Sequence, residues 1–406
     1  MKRRIPRVLL MLLVLALVAA ACGGDDDGDT TTSAGDAATT AAPGTTAAPA
    51  TTAAPGTTAA AGGEVTLGPG VTAEPCPEGD PARGCIYLAA LTDESGPFAA
   101  ASPGLILGQQ LFWQTVNASG GIGGAYDVAL PDANVLDAQY TPDQMVVQYN
   151  SVAGDIAALA MSLGTPQTLA VLEDYNRDNT VAAPMSWYSG WAFDSVDQGL
   201  VMEFGTNYCF EAMNAVDWSM GALPAAGREA PTTVGILAFP TDYGLDYAAG
   251  VEIAAEANGL EVAYNAAVVP IVAGGDAQQT EAVAQVLGTP ADVVYLAVGP
   301  SEAGAIVGGA AAQGFTGLFI GSSPSWNPGL LASPAAPAFE AGIFYQSSFS
   351  PPLDYDSEGH QALRDALEAA GVTDEFNDFY GAGWESQYGL RAALEAAVVA
   401  GDLTHE

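Results

Sequence analysis

The chain has 406 residues, of which 49% are hydrophobic and 14% charged, and its 47 Asp and Glu against nine Lys and Arg give a net charge of −38. Such an acidic surface repels phosphates and anionic head groups, which excludes nucleic acid and polybasic membrane attachment as partners. About the first seventy residues cannot join a core, so roughly 320 to 335 remain for folding, a number that favours two domains.

Residues 1–21 have the pattern of a signal peptide. A basic segment, Lys2 to Arg7, precedes the fourteen apolar residues Val8 to Ala21, which are too few to cross a membrane as a helix. Ala19 to Ala21 directly before Cys22 resemble the lipobox of bacterial lipoproteins, in which that cysteine is lipidated, although the family usually has leucine at Ala19. We expect an exported protein anchored by lipid to the outer face of the cytoplasmic membrane, with ordinary secretory cleavage as the alternative.

Residues 22–72 are predicted to be a lipidated N-terminus followed by a disordered linker. Thr39 to Gly62 repeat a Thr-Thr-Ala-Ala-Pro-Gly unit that has no apolar face, so the segment cannot bury a core. About fifty such residues span roughly 40 Å, enough to hold a folded body away from a membrane.

Three cysteines, Cys76, Cys85 and Cys209, remain after Cys22, and an exported chain can oxidise them. Cys76 and Cys85 would close a small loop rich in proline and glycine, so we predict a disulfide between them. A bridge that uses Cys209 stays open on sequence alone.

The first folded unit begins with a strand at Ile86 to Leu91, followed by a Gly- and Pro-containing loop at Asp93 to Pro97. Ser102-Pro103 then has the pattern of an N-cap and first helical residue, and apolar residues at spacings of three and four continue the helix to Ser119. The loop places Ser95 and Gly96 at the carboxyl end of a strand, where open α/β sheets bind small polar ligands.

Strands and helices alternate along the rest of the chain, which predicts parallel sheets. The predicted strands are 126–139 with its loop, 156–163, 181–185, 233–239, 260–268, 293–298, 318–320 and 342–347. The predicted helices are 142–152, 166–176, 198–216, 242–258, 278–287, 301–313, 361–370 and 384–400. We expect an α/β fold of two doubly wound parallel-sheet lobes joined by a multi-segment hinge. Lobe 1 would comprise 85–194 plus 348–406, and lobe 2 would comprise 195–347.

Several segments, in their order and spacing, resemble the leucine/isoleucine/valine-binding type of type I periplasmic binding protein. They are Leu91 to Gly124, which contains Asn117-Ala118-Ser119-Gly120-Gly121-Ile122, then Asp137-Ala138-Gln139, Asp242-Tyr243-Gly244 and Ala291-Asp292-Val293-Val294. The resemblance implies two α/β lobes joined by three crossovers, which close on one small solute and deliver it to an ABC permease.

The resemblance also implies ligand contacts in the loops at the strand ends. The Ser95-Gly96-Pro97 loop matches the first contact loop, Thr165 with Gln167 matches the loop that holds a carboxylate, and Tyr243 matches the tyrosine that closes over the ligand. Ser301 or Glu302, and Trp326 or Asn327, occupy two further loops. The predicted ligand-binding residues are Ser95, Gly96, Phe98, Thr165, Gln167, Ser189, Trp191, Tyr243, Glu302 and Trp326.

Two features bear on the identity of the ligand. Gly321 to Asn327 contains no acid for an α-ammonium group, so Glu302 or Asp242 would have to supply it, or the ligand would be an amide or organic acid. Aromatic residues in the presumed cleft loops favour an apolar or aromatic ligand, or else pack the lobes. We predict an apolar or branched-chain amino acid or a related amide as ligand, with a ligand-sensing lipoprotein of the same fold as the alternative.

The chain has no sequence pattern of an enzyme. It contains no GxSxG, HExxH, P-loop or GxGxxG motif, and His360 and His405 are expected at the surface. We expect no catalysis, no cofactor and no metal. Thr404 has the pattern of an N-cap near the last residue, which suggests either a truncated chain or a shorter protein with a two-segment hinge.

Overall fold

The computed structural model describes residues 65–193, 196, 198–267, 269–271, 279–349, 351, 354–372 and 378–406. The predicted signal peptide, Cys22 and the repeat linker lie outside the described residues.

The first sheet, which defines lobe 1, has six strands built around a long and almost fully buried central strand. The early strands are β1 (Thr66–Leu67), β2 (Val71–Thr72), β3 (Gly84–Thr92), β4 (Tyr126–Ala129), β5 (Val135–Asp137), β6 (Ala158–Leu163) and β7 (Ala182–Met185). Within the sheet, β3 pairs in parallel with β4, β5 and β6, β6 pairs in parallel with β7, and β2 runs antiparallel to β3. The helices between these strands are α1 (Ser102–Ala118), α2 (Pro142–Val152) and α3 (Thr165–Asp178).

The second sheet, which defines lobe 2, has five parallel strands. Its elements in chain order are α4 (Tyr208–Ala225), β8 (Thr233–Ala238), α5 (Asp242–Asn258), β9 (Glu261–Ala266), α6 (Thr280–Gly288), β10 (Val293–Ala297), α7 (Pro300–Ala312), β11 (Leu318–Gly321), α8 (Ala336–Glu340) and β12 (Phe344–Gln346). The strand order is β12-β11-β10-β8-β9. Since β8, β10 and β11 are buried on both faces, they are continuous apolar runs, as expected for a covered parallel sheet.

The chain then returns to lobe 1, where its last strand forms a separate two-stranded sheet with β1. The last elements are α9 (Glu358–Ala369), α10 (Asp378–Glu385), α11 (Gln387–Ala400) and β13 (Asp402–Leu403), and β13 pairs in parallel with β1. Helix α10 approaches α1 closely, because a Cβ on Gly108 would lie 2.3 Å from the Tyr380 carbonyl oxygen and one on Gly383 only 2.1 Å from that of Leu105. The predicted α/β fold with parallel sheets is confirmed, and the lobe boundaries stay a prediction.

Three predicted element boundaries are wrong. The helix predicted over 384–400 is divided at Ser386 into the end of α10 and the whole of α11. Residues 65–72, assigned to the linker, contain β1 and β2, because the backbone of β2 finds hydrogen-bonding partners along β3. The helix predicted from 198 begins only at Tyr208. Its N-cap is Asn207, whose side chain accepts a hydrogen bond from the Phe210 N–H, and Gly205 before it has a φ of +75° that no helix continues.

Cys76 and Cys85 form the predicted disulfide, with their Cα atoms 4.8 Å apart, and Cys209 is a free, half-buried thiol. In the part of the chain that the structure describes, no helix combines the length and the apolar character needed to cross a bilayer.

Candidate functional site

An apolar cavity lies where the carboxyl ends of the two sheets face each other. Lobe 1 lines it with Phe98, Leu105 and Met185, whereas lobe 2 contributes Tyr243 and Pro324. The cavity measures about 30 Å³, so the facing walls almost touch in this conformation. A solute larger than one or two water molecules therefore requires the walls to move apart.

One wall of the cavity is an aromatic cluster on the segments that connect the lobes. Trp187 stacks on Phe349 with the ring centroids 3.7 Å apart, and Phe204 meets Trp187 edge-on at 5.3 Å. Tyr208 lies 4.6 Å from Tyr243 by ring centroids and continues the wall into lobe 2. The connecting segments thus contribute side chains to the cavity wall.

In the first predicted contact loop, two backbone N–H groups donate hydrogen bonds to an aspartate of the same loop. Asp93, which is buried, accepts hydrogen bonds from the Gly96 N–H at 2.5 Å and the Phe98 N–H at 2.8 Å. Ser95 is exposed, and its hydroxyl donates to Asp137 at 2.7 Å. Of the three predicted residues in this loop, only Phe98 lines the cavity, where its ring lies 4.8 Å from that of Tyr140. The roles of Ser95 and Gly96 as ligand contacts stay predictions.

The second predicted loop lies immediately behind the cavity wall. The Thr165 and Ser186 hydroxyl oxygens are 2.7 Å apart, and the Gln167 amide donates to the Tyr140 carbonyl oxygen at 2.7 Å. The lining residue is Gly164, whose φ is +95° and whose hypothetical Cβ would lie 2.2 Å from Gln167 Oε1. Glycine is favoured here because residues with a side chain rarely adopt this backbone conformation, and a Cβ would also displace the Gln167 side chain.

Ser189 lies at a contact between the lobes. Its N–H and its hydroxyl both donate to the carboxylate of Asp246 on α5, at 2.8 Å and 2.6 Å. Trp191 is buried and its indole N–H donates to Ser186 at 3.3 Å, so it packs inside lobe 1. In this conformation neither predicted residue lines the cavity, and their contact with a ligand stays a prediction.

Tyr243 and Trp326 have different positions. Tyr243 is buried in the cavity wall, and its hydroxyl donates to the Val298 carbonyl oxygen at 3.3 Å and contacts the Ser322 hydroxyl. Trp326 packs beside Phe344 in lobe 2, with ring centroids 5.9 Å apart, outside the cavity lining. Its neighbour Asn327 instead donates to the Ala100 carbonyl oxygen at 3.2 Å, a second contact between the lobes.

Glu302, at the start of α7, is fully buried. Neither carboxyl oxygen accepts a hydrogen bond from another residue among those described. The carboxyl borders lobe 1, since a Cβ on Gly299 would lie 2.7 Å from Glu302 Oε2 and 3.3 Å from the Pro97 carbonyl oxygen. Burial, together with the nearby Asp93, raises the pKa of Glu302 to about 7, although its own N–H opposes the rise. Glu302 is not among the residues that line the cavity, so its contact with a ligand stays a prediction.

Acids surround the cavity without a matching cation. Burial raises the pKa of Asp93, Glu211 and Glu302, and the cavity lining itself contains neither Arg nor Lys. A permanently anionic solute would therefore find no cation in the lining to pair with and would oppose ionisation of these acids, whereas a cationic group would favour it.

Sequence reasoning did not identify Leu105, Tyr140, Met185, Tyr208 or Phe349 as lining residues. Gln139 and Tyr140 directly follow a strand and have positive φ values of 52° and 49°, which the sequence alone does not reveal. Two consecutive left-handed residues indicate a constrained loop of the kind found at functional sites. The others became visible only when the fold brought distant segments together.

Two α/β lobes with an apolar cavity between the carboxyl ends of their sheets are the architecture of a bilobal solute-binding protein. The chain belongs to the periplasmic binding protein family, whose profile matches residues 86–406. Members of this family bind solutes outside the cytoplasm, and they are typically not enzymes. No curated protein sequence matches the chain.

Solved structures with the same fold include three binding proteins. A fatty acid ABC transporter substrate-binding protein from Thermomonospora curvata is 27% identical, with a TM-score of 0.71, over 84% of this chain and 81% of that one. A branched-chain amino acid ABC transporter protein from Thermus thermophilus with bound valine is 15% identical, with a TM-score of 0.62, over 75% and 76%. A leucine-binding protein from Thermotoga maritima is 15% identical, with a TM-score of 0.63, over 79% and 85%. The two less similar structures establish the fold alone.

Proposed function

We propose that the protein captures a small apolar solute between its lobes and delivers it to an ABC permease. The observation that carries this proposal is the cavity, which receives aromatic and aliphatic side chains from both lobes and from the connecting segments. Because both lobes present apolar surface to one site, a ligand makes more contacts in the closed state than in the open state and therefore stabilises the closed state.

The preferred solute carries a hydrogen-bond donor beside its apolar body. Glu302 supplies two acceptor oxygens on lobe 2, where α7 borders lobe 1, and Gln167 Oε1 is another buried acceptor without a partner in the described chain. An ammonium or amide group would satisfy such acceptors, which is worth more in a buried site than in water. An apolar or branched-chain amino acid, or its amide, therefore fits the electrostatics best.

A fatty acid or another aliphatic carboxylic acid is the second candidate. The 27% identical protein from Thermomonospora curvata is described as a fatty acid binder, and the cavity lining is as suitable for an acyl chain as for a leucine side chain. With this solute, the surrounding acids would have to bind in their protonated form. The raised pKa of Glu302, about 7, makes that form accessible in mildly acidic medium.

Contacts between the lobes would hold the closed state once the solute is enclosed. The Ser189 to Asp246 hydrogen bonds and the Asn327 to Ala100 hydrogen bond join the rims of the two lobes. Opening would break these bonds and separate the apolar walls, in a hinge motion about the connecting segments.

The proposal includes an anchor and a partner. Lipidation at Cys22 would hold the body to the outer face of the cytoplasmic membrane, and the 22–64 segment would supply its reach. A ligand-sensing role would use the same closure with a signalling partner in place of the permease. Closure alone does not separate the two roles, whereas uptake by cells that lack the chain does.

The test is thermal unfolding of the purified protein with leucine, isoleucine, leucinamide, hexanoate and decanoate, with glutamate and glucose as solutes that lack an apolar body. A solute at a hundred times its Kd adds about 2.7 kcal/mol to the stability of the native state. We expect a shift of several degrees with at least one apolar solute and none with glutamate or glucose. Shifts with the polar solutes alone would contradict an apolar site.

A further inference from the structure

Glu211 is a buried acid that lies outside the predicted site and behind the cavity wall. It is 1% exposed and lies in the first turn of α4, three residues after Tyr208, so both side chains project from one face of the helix. Tyr208 lines the cavity. The carboxyl of Glu211 thus lies behind the residues that line the cavity.

One carboxyl oxygen of Glu211 joins three segments of the chain. Oε1 accepts hydrogen bonds from the Ser323 N–H at 2.7 Å, the Ser323 hydroxyl at 3.0 Å and the Ser347 hydroxyl at 2.8 Å. Ser323 precedes Pro324, which lines the cavity, and the Phe349 N–H donates to the Ser323 hydroxyl at 3.0 Å. The same oxygen therefore fixes the loop before Pro324 and the segment that carries Phe349.

The wall held in this way is also where the connecting segments meet. The Tyr208 N–H donates to the Trp187 carbonyl oxygen at 2.7 Å, and the Thr206 N–H donates to that of Phe349 at 3.2 Å. With the Trp187 ring stacked on Phe349, the two segments that join the lobes are bound to each other. A displacement of Phe349 would therefore change both the cavity wall and the contact between the connecting segments.

The second oxygen of Glu211, Oε2, is buried and has no hydrogen-bond partner among the described residues. Burial raises the pKa of Glu211 to about 7, and its hydrogen bonds with Ser323 and Ser347 oppose the rise. The titratable groups that face this carboxyl are Tyr208 on its own helix, and Tyr243 and Tyr247 on α5. Burial raises the pKa of all three phenols, so they stay neutral, and Glu211 is the group among them that changes charge near neutrality.

We propose that Glu211 is a positioning residue, whose carboxyl holds Pro324 and Phe349 in the cavity wall and makes the arrangement of that wall depend on its charge. The ionised carboxylate accepts its three hydrogen bonds more strongly than the neutral acid, which favours a tighter wall. This inference rests on the proposed interlobe binding of a solute for its functional meaning, although the positioning itself does not require a solute.

The first measurement is the tryptophan emission of the protein without added solute between pH 5.5 and 8.5. Subtracting the spectra of the matching Trp187→Phe variants isolates Trp187. We expect its emission to change with a midpoint near pH 7 in the unmodified protein, and to be constant in Glu211→Gln, which keeps an acceptor oxygen but cannot ionise. Glu256→Gln, an exposed glutamate on α5, is the control and should titrate like the unmodified protein. An unchanged titration in Glu211→Gln overturns the proposal.

The second measurement is the binding of leucine and decanoate. Glu211→Ala leaves the Ser323 N–H without its acceptor and removes the oxygen that the Ser323 and Ser347 hydroxyls share. It should weaken binding of either compound by about tenfold or more, whereas Glu211→Gln should weaken it by less than about threefold. Equal losses in both variants would contradict a role that rests on the acceptor oxygen. If neither compound binds the unmodified protein, the proposed solutes are at fault, and the Trp187 titration still decides the role of Glu211.

Discussion

Replacing Glu302 by glutamine tests both the electrostatics of the cavity and the choice of solute. Burial raises the pKa of this carboxyl from 4.5 to about 7, so the native state holds its proton more tightly than the unfolded chain does. This difference in pKa sets the direction in which stability changes with pH. Below the unfolded pKa the group is neutral in both states and costs nothing, and stability is lost as the pH rises from about 4.5 to about 7.

The size of the effect follows from the same two values. Between pH 5 and pH 8 the ionisation of Glu302 should reduce the free energy of unfolding by about 2.5 kcal/mol. The glutamine variant cannot ionise and should lack this part of the pH dependence. Its stability relative to the unmodified protein should therefore be about 2.5 kcal/mol more favourable at pH 8 than at pH 5.

The assay is urea unfolding followed by tryptophan fluorescence at both pH values, with Glu256→Gln as the exposed control, for which no difference is expected. A Glu302→Gln protein that is destabilised equally at pH 5 and pH 8 would refute the reasoning. In the binding assay the same variant should lose leucine affinity by about tenfold, since an amide no longer pairs with an ammonium group, and should keep its affinity for decanoate.

Three further outcomes are expected. Asp246→Ala removes two charge-assisted hydrogen bonds between the lobes, worth about 2 kcal/mol, and should shift the population from closed to open roughly thirtyfold, seen as a larger radius of gyration by small-angle scattering. Replacing Cys76 and Cys85 by serine opens a short loop with a sequence separation of 9 and should reduce the free energy of unfolding by about 2 to 3 kcal/mol, measured by urea titration. Gly383→Ala places a Cβ 2.1 Å from the Leu105 carbonyl oxygen, so it should lower the melting temperature and weaken solute binding together. Gly381→Ala is the control, because a Cβ at that position meets open space. Equal melting temperatures for the two variants would contradict the close helix contact.

The sequence predicted the fold where local patterns determine it. The strand at 233–239 and the helix at 242–258 correspond to β8 and α5 almost residue for residue, because an apolar run of strand length and an acidic first turn are both local signals. The pairing of Cys76 with Cys85 followed from a short loop. Such features need no knowledge of distant parts of the chain.

The candidate site was only partly predictable, because it is made by segments that are far apart in sequence. Ser189 was predicted to contact the ligand, and in this structure its hydrogen bonds go to Asp246, 57 residues away. Phe349 follows lobe 2 in the chain and stacks on Trp187, a contact that no spacing rule indicates. Position in a loop can be inferred from sequence, whereas the direction of a side chain depends on its packed neighbours.

The central claim is that an apolar solute binds between the lobes, and calorimetric titration tests it most directly. Leucine and decanoate are titrated into the unmodified protein and into Leu105→Trp, which fills the cavity from α1. We expect binding of at least one of them to the unmodified protein at one site, with a negative heat-capacity change from buried apolar surface, and its loss in the variant. Equal binding by a Leu105→Trp protein that melts like the unmodified one would place the solute elsewhere and contradict the account.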